Sequence, residues 1–159
     1  MAGFLNRLLS SILVPKPPDD LRWLTTDVAH SEQFTDRQAA ALVDIGIRAV
    51  LDLRSKERHS LAPLGKAGLH YLYMAVEPDA TPSPAEIGRA AGWVRQELDD
   101  DRKVLIHCSR RSTAAATLVA ATLVRCGQPL EQALELSDAQ DLSDAQADAL
   151  TRYASRLGR

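Results

Sequence analysis

The stretch from Lys103 to Val124 constrains the fold more than any other part of the chain. It opens with a short apolar run, Lys103–Ile106, and closes with Ala116–Val124, which is apolar on nearly every side. This pattern predicts a strand, a tight loop and a buried helix. The N–H groups of such a loop and the positive end of the helix dipole converge on one spot, which favours the binding of an anion there.

Cys108 lies at the entrance of this predicted anion site. A thiol at a helix N-terminus, with Arg110 and Arg111 close in sequence, is expected to have a lower pKa than a free cysteine. The side chain would then be a thiolate more often. A thiolate beside a phosphate-sized pocket indicates nucleophilic attack at phosphorus.

Composition excludes several classes of protein. The 159 residues suit one ordinary domain, and the net charge of -2 comes without a basic stripe, which argues against nucleic-acid binding. Cys108 and Cys126 do not form a disulfide framework, so we expect a cytoplasmic protein. The four histidines lack metal-ligand spacing and no Gly-rich nucleotide loop is present, so we predict no metal and no organic cofactor.

The first 18 residues differ from the rest. Apolar residues recur at helical spacing through residues 1–14, and Pro15, Pro17 and Pro18 then separate this segment from the domain. A helix this short cannot span a bilayer, which needs ~20 apolar residues. We therefore predict a helix and proline-rich break at 1–18, packed on the surface of a domain at 19–159. The alternative is a peripheral anchor for a membrane or a protein partner.

Strand and helix signals alternate along the domain. Capping patterns at Thr35–Gln38 and Ser83–Glu86 begin helices, and Gly46 ends the first of them. Residues 54–68 and 77–82 are predicted loops, the first with at most one helical turn. We predict strands at 21–24, 47–53, 69–76 and 103–106, and helices at 35–45, 83–98, 116–124, 129–136 and 143–157. The fold class is α/β, with a mostly parallel central sheet and helices on both faces.

The segment His107–Ala115 resembles the signature loop of the cysteine-based protein tyrosine phosphatases, most closely the small dual-specificity type. That pattern is His-Cys, five residues, Arg, then Ser or Thr, with a Gly midway. The His-Cys pair is present at the strand end, and Thr117–Ala121 continues in the usual register. Three positions depart from the pattern: the Gly falls on Arg111, the phosphate-gripping Arg on Ala114, and the Ser or Thr on Ala115.

The resemblance extends over residues 21–157. Ile45–Arg54 is similar to the "Gly-Ile-x-x-Val-x-Asp-Leu-Arg" strand of the same family, and Ala133–Leu134 lies where its late helix carries an Ala-Leu pair. The order and spacing of these segments imply a single-domain dual-specificity-phosphatase-like fold. Asp52 and Arg54 resemble residues near the family's site, although a surface ion pair at a strand end is an equal alternative.

The resemblance also implies roles for individual residues. Cys108 would be the nucleophile, His107 would support the loop, and Asp79 would be the general acid, with Glu77 as a competing carboxylate. A turn residue after a proline is the alternative interpretation of Asp79. The phosphate-binding loop would consist of Ser109, Arg110, Arg111, Ser112, Thr113 and Ala114.

Three hypotheses about function follow. The first is a pseudophosphatase or very weak phosphatase that binds a phosphorylated protein or a small phosphomonoester, because Ala114 lacks the guanidinium that grips phosphoryl oxygens. The second is an active cysteine-dependent phosphatase in which Arg110 or Arg111 replaces that clamp. The third is a non-catalytic scaffold that binds partners through its N-terminal helix.

Overall fold

The computed structural model describes residues 2–5, 15–56 and 58–159. The strands in these ranges are β1 Arg22–Trp23, β2 Val28–Ser31, β3 Ile47–Asp52, β4 His70–Tyr73 and β5 Lys103–His107. The α-helices of the domain are α1 Ala39–Asp44, α2 Leu61–Lys66, α3 Pro84–Asp99, α4 Thr113–Arg125, α5 Leu130–Leu136 and α6 Asp144–Arg156. A 3₁₀ turn, Asp36–Gln38, leads into α1.

The strands form one five-stranded sheet in the order β1-β2-β5-β3-β4. All neighbouring pairs are parallel except β1 and β2, which are antiparallel. Parallel strands need crossover connections, and helices supply them here on both faces of the sheet. The predicted fold class, α/β with a mostly parallel sheet, is confirmed.

Two apolar clusters lie on opposite faces of the sheet. The larger contains Ile87 of α3, Leu118 of α4 and Leu150 of α6, packed against strand residues such as Leu51. The smaller lies under α1 and α2 and takes the alternate strand positions, including Val50. Because successive strand side chains point to opposite faces, a sheet covered on both sides needs apolar residues at consecutive positions, as in Ala49–Leu51 of β3 and Val104–Ile106 of β5.

Helix α4 is buried along almost its whole length and lies at the centre of the larger cluster. The buried hydroxyls of Thr117 and Thr122 are both hydrogen-bonded, because each donates to the carbonyl four residues earlier. The oxygen of Thr117 lies 2.8 Å from the carbonyl of Thr113, and that of Thr122 lies 2.8 Å from the carbonyl of Leu118. A helix buried in this way holds its N-terminus rigidly against the carboxyl edge of the sheet.

The register aligns the strand ends that flank that edge. Ser31 at the end of β2 and Asp52 at the end of β3 both pair with His107 at the end of β5. The strand order reverses around β5, and in parallel sheets such a position is where ligands bind. The signature loop, residues 107–115, begins at this point.

Several sequence predictions need correction. Strand β2 was not predicted, because only Val28 and Ala29 mark it as apolar before polar residues follow. The predicted strand 69–76 forms only over His70–Tyr73. The helix predicted from Thr35 begins as a 3₁₀ turn, in which the N–H of Thr35 donates to the side chain of Gln38 at 2.9 Å.

The predicted N-terminal helix falls largely on residues 6–14, which lie outside the described residues. Residues 2–5 are helical, and Phe4 and Leu5 are mostly exposed there. Among the described helices, none combines the length and apolar character that crossing a bilayer requires.

Candidate active site

Both neighbouring strands hold the start of the signature loop. The N–H of Leu53, just after β3, donates to the carbonyl of His107 at 2.8 Å. The N–H of Cys108 donates to the carbonyl of Ser31 at 3.3 Å. At the other end, Ser112 caps α4, with its Oγ accepting from the N–H of Ala115 at 3.0 Å. The predicted strand, loop and helix junction is therefore present.

A cavity of about 130 Å³ lies over Cys108. Arg22 from β1, Glu32 after β2 and Asp138 from the α5–α6 connection bring charges to it from outside the loop. Arg22 and Asp138 form an ion pair across it, with Nη2 2.9 Å from Oδ2. The described residues that line the cavity are Arg22, His30, Glu32, Cys108, Ser109, Arg111, Ser112, Ala116, Val119, Ser137 and Asp138.

Cys108 is not the acidic thiol that the sequence predicts. The side chain is 5% exposed, and burial raises the pKa of the Cys108 thiol to about 12, with the Glu32 and Asp20 carboxylates adding to the rise. Arg22 opposes this shift. The prediction of a lowered pKa is wrong because the fold buries the thiol and, to a smaller extent, brings to it carboxylates that are remote in sequence.

Cys108 has a partner that the sequence did not indicate. Its Sγ lies 2.8 Å from Nε2 of His30, a half-buried residue of β2. Parallel pairing of β2 with β5 sets His30 opposite Ile106, two residues before the cysteine. Had strand β2 been predicted beside β5, it would have placed His30 near Cys108, since the carboxyl ends of neighbouring parallel strands share one edge.

The loop arginines differ in placement. Arg110 is 72% exposed at its side chain and points to Glu32, with Nε 3.4 Å from Oε2. Arg111 is also exposed but lines the cavity over Cys108. Of the two residues predicted as possible replacements for the clamp, only Arg111 borders the cavity.

Ala114, at the clamp position, is completely buried in the larger apolar cluster. Its N–H donates to the carbonyl of Pro78 at 3.1 Å. The same carbonyl lies 3.4 Å from the hydroxyl oxygen of Ser112 and 3.3 Å from that of Thr113. Three donors at the start of α4 are therefore directed at a group of the protein itself.

Asp79 lies in the loop of residues 77–82, hereafter the acid loop. The carboxylate is exposed and is not among the described residues that line the cavity over Cys108, and the competing carboxylate of Glu77 is exposed as well. Buried Gln146 of α6 holds the acid loop, since its Nε2 lies 2.9 Å from the carbonyl of Ala80 and 2.9 Å from Oγ1 of Thr113. These bonds dock the acid loop on the start of α4, with the Asp79 carboxylate exposed.

His107 belongs to a buried hydrogen-bonded cluster below the loop. Its Nε2 lies 3.2 Å from the carbonyl oxygen of Glu32, and its Nδ1 lies 2.7 Å from Nε2 of His59. His59 in turn contacts Asp36 through Nδ1. The imidazole of His107 thus connects the end of β5 to the segment after β2 and to the β3–α2 connection.

Asp52 and Arg54 form a buried bidentate ion pair beside this cluster rather than a surface pair. Nε and Nη2 of Arg54 lie 3.0 Å and 3.0 Å from the two carboxylate oxygens of Asp52, which is fully buried. The Tyr71 hydroxyl also donates to Asp52, at 2.7 Å. Burial alone would raise the pKa of Asp52, but the hydrogen bonds from Arg54 and Tyr71 lower it below its ordinary value.

The side chains of Asp52, His59 and His107 lie within 4.8 Å of one another, close enough to hold a metal ion. However, Arg54 and Tyr71 already donate to the carboxylate, and the two imidazoles contact each other. A cation would have to displace these bonds and face a guanidinium. We therefore describe the cluster as a hydrogen-bonded network.

Replacing Arg111 with glycine should stabilise the protein. Arg111 has φ 61°, a left-handed conformation that strains an L-residue but not glycine. Relief of this strain is worth about 1–2 kcal/mol. The greater entropy of glycine in the unfolded chain offsets part of that gain, so we expect a net increase in the free energy of unfolding of about 0.5–1 kcal/mol. Urea denaturation measures it. The matched control, Arg110→Gly, removes the same charge at a position without positive φ, and equal stabilisation by both variants would contradict the explanation.

Stability should fall as the pH drops from about 6.5 to about 4. Burial, and then the nearby Arg54, lower the pKa of His107 from 6.5 to about 4. Between these values the unfolded chain binds a proton that the folded chain does not, so acid favours unfolding. The loss should reach about 3 kcal/mol below pH 4. Burial lowers the pKa of His59 too, so His59 also favours unfolding as the pH falls.

The measurement is urea denaturation of the protein and of His107→Gln at several pH values. The variant lacks the titrating imidazole, so its stability should depend less on pH over this interval. Identical pH dependence of the two proteins would show that His107 is not the group responsible.

Comparisons with known proteins agree with this geometry. The family model Tc-R-P, described as "Polymorphic toxin system, DSP-PTPase phosphatase", matches residues 26–128, from just before β2 to just after α4. The chain belongs to the Tc-R-P family of DSP-PTPase phosphatases. The matched segment contains the sheet edge, His30, the acid loop and the signature loop. A search of curated proteins found no match.

Solved structures share the fold of this Tc-R-P domain. The crystal structure of Tk-PTP in its active form aligns with a TM-score of 0.72 and 22% identity, covering 87% of this chain and 98% of Tk-PTP. That of PTPMT1 aligns with a TM-score of 0.74 and 18% identity, covering 87% of this chain and 96% of PTPMT1. The family model, together with this shared fold, confirms the predicted resemblance to tyrosine and dual-specificity phosphatases at the level of the superfamily.

Proposed function

We propose that this Tc-R-P domain is a pseudophosphatase or a very weak cysteine-dependent phosphatase that still binds phosphorylated ligands at the Cys108 loop. The observation that carries the proposal is the side chain at position 114. It is alanine, completely buried in the apolar cluster, at the place where the related signature pattern has arginine. No charge from that position can grip a phosphoryl group.

The loss of this clamp affects the reaction more than binding. A guanidinium that forks two N–H groups onto phosphoryl oxygens binds more tightly as charge develops in the transition state. Removal of one such preorganised electrostatic contact typically costs ~10²–10³ in rate. The raised pKa of the Cys108 thiol acts in the same direction, as does the exposed position of Asp79, which does not line the cavity over Cys108.

The remaining cations support ligand binding. Arg22 and Arg111 line the cavity over Cys108. A second cavity of about 330 Å³ adjoins the loop, and Arg54, Lys56 and Ser109 are among the described residues that line it. A phosphate group is the ligand that these cations favour, on a protein or on a small molecule. The related fold of PTPMT1 has been crystallised with PI(5)P.

A second candidate function is supported by one observation. Because Arg111 borders the same cavity as Cys108, its guanidinium can reach a bound phosphate and replace the clamp. The domain would then be an active phosphatase that works through a phosphocysteine intermediate, with Asp79 as general acid after movement of the acid loop. Arg111→Ala should then remove most turnover, and Arg110→Ala should not.

Hydrolysis of p-nitrophenyl phosphate by the purified chain under reducing conditions separates these proposals. We expect a kcat below about 0.1 s⁻¹, whereas typical enzymes turn over at about 1–10³ s⁻¹. The residual rate should vanish in Cys108→Ser and persist in Cys126→Ser, the matched control at the other free cysteine. A kcat above about 1 s⁻¹ that requires Cys108 would contradict the first proposal and favour the second.

Binding is tested separately with inorganic phosphate in isothermal titration calorimetry. We expect Cys108→Ser to retain binding and Arg111→Ala to weaken it.

The two free thiols also suit a reducing compartment, so we propose a cytoplasmic location.

A further inference from the structure

The thiol–imidazole pair of Cys108 and His30 goes beyond the features of a phosphate loop. The two atoms are 2.8 Å apart and both residues line the same cavity, so a ligand in that cavity meets both. A nucleophile and a base within hydrogen-bonding distance are the arrangement from which activated thiols are built.

The fold holds His30 in place from two sides. Its strand β2 pairs with β1 through Arg22 and with β5 through Ile106. Just beyond His30, the Asp20 carboxylate accepts from the Ser31 hydroxyl at 2.6 Å and from the N–H of Glu32 at 2.7 Å. These bonds fix the end of β2 relative to the signature loop.

Charges around the pair keep it neutral at rest. Burial and then Arg22 lower the pKa of His30, while Glu32, Asp20 and Asp138 oppose that shift. Burial and the carboxylates of Glu32, Asp20 and Asp52 raise the pKa of Cys108. Arg111 also lines the cavity. The resting pair is therefore an S–H group donating to the bare Nε2 of His30.

We propose that His30 is a catalytic residue of this site and takes the proton of Cys108 when the sulfur attacks. The inference rests on the proposed function to the extent that Cys108 is the nucleophile. In the first step the S–H bond breaks, Nε2 of His30 gains the proton, and sulfur forms a bond to phosphorus. The P–O bond to the leaving group breaks, and that oxygen leaves with a proton from solvent.

In the second step water attacks the phosphocysteine. The phosphorus–sulfur bond breaks and inorganic phosphate leaves with the water oxygen. One proton of that water goes to solvent, and the imidazolium returns its proton to the sulfur. Between the two steps His30 is a cation beside the phosphoryl oxygens, so it supplies part of the positive charge that Ala114 cannot provide.

Alkylation of Cys108 by iodoacetamide, followed by peptide mass spectrometry from pH 5 to 9, tests the proton transfer without phosphate chemistry. Proton transfer from Cys108 to His30 leaves the total number of protons on the pair unchanged. The alkylation rate of Cys108 should therefore not depend on pH between about pH 6.5 and 8.5, and it should fall in more acid solution. Cys126 in the same molecules is the internal control. No imidazole of the described residues forms a hydrogen bond with Cys126, so its alkylation rate should rise about tenfold per pH unit.

His30→Gln should convert the Cys108 profile to that tenfold slope and lower its rate at pH 7 by at least about tenfold. A wild-type Cys108 rate that rises in parallel with Cys126 would overturn the proposal, whether or not the variant folds. A flat profile together with rapid p-nitrophenyl phosphate hydrolysis would leave the role of His30 intact and overturn only the weak-phosphatase proposal.

Discussion

The double substitution Ala114→Arg, Arg111→Gly is expected to raise Cys108-dependent hydrolysis of p-nitrophenyl phosphate by about 10²–10³-fold. It returns a bidentate guanidinium to the loop and relieves the positive φ at position 111. The thiol, the strand edge and the capped N-terminus of α4 are already in place. The double substitution reverses two of the three departures from the related signature pattern and leaves Ala115 unchanged.

Because position 114 is buried, the experiment needs a control variant that adds side-chain volume there without adding charge. The methyl group of Ala114 is fully enclosed, and a longer side chain must turn from the apolar cluster toward the cavity. Ala114→Met, Arg111→Gly adds a side chain of comparable length without charge and should leave the rate near that of the wild type. Cys108→Ser in the arginine background should remove the gain.

Either of two results would contradict this prediction. Equal rates for the arginine and methionine variants would show that charge at position 114 is not what limits the reaction. A wild-type protein that already turns over rapidly, and that the double substitution barely improves, would show that another cation performs the role of the clamp.

The second large effect concerns the free energy of unfolding. Arg54→Leu is expected to destabilise the protein by about 3–5 kcal/mol, because it leaves the fully buried Asp52 carboxylate without its cation. Among the described residues, the Tyr71 hydroxyl and the backbone N–H of residue 54 would still donate to that carboxylate. Urea denaturation at pH 7 measures the loss.

Arg95→Leu is the matched control, because it removes an arginine from an exposed pair with Asp99 on α3. Such pairs contribute about 0.5 kcal/mol or less. A cost for Arg54→Leu no larger than that of the control would mean that the Asp52 pair behaves as a surface ion pair. The double variant Asp52→Leu, Arg54→Leu should recover part of the loss, since no buried charge then remains.

The local parts of the fold were predictable, because short-range signals mark them. Ser83 and Glu86 do form a capping box, with the N–H of Glu86 3.1 Å from Oγ of Ser83, and Pro84 begins α3. The apolar run after Cys108 does form a buried helix. The signals for these elements are capping residues and the spacing of apolar residues, and both are carried by residues close in sequence.

The chemistry of the site was less predictable, because it depends on contacts between distant segments. His30 reaches Cys108 only through the pairing of β2 with β5, and four residues are too few for a clear periodic signal. The thiol pKa likewise depends on burial and on Asp20, which precedes β1, and Glu32, which directly follows β2. A sequence motif locates the nucleophile but not the charges that surround it.

The carbonyl of Pro78 has a thermodynamic consequence for every anion that uses the first turn of α4. The N–H of Ala114 has one hydrogen, and the docked acid loop already receives it. An anion that needs this donor competes with the loop, so its apparent dissociation constant equals the intrinsic constant divided by the undocked fraction. By the same linkage, a bound anion holds the acid loop away from α4 and frees Asp79 to move.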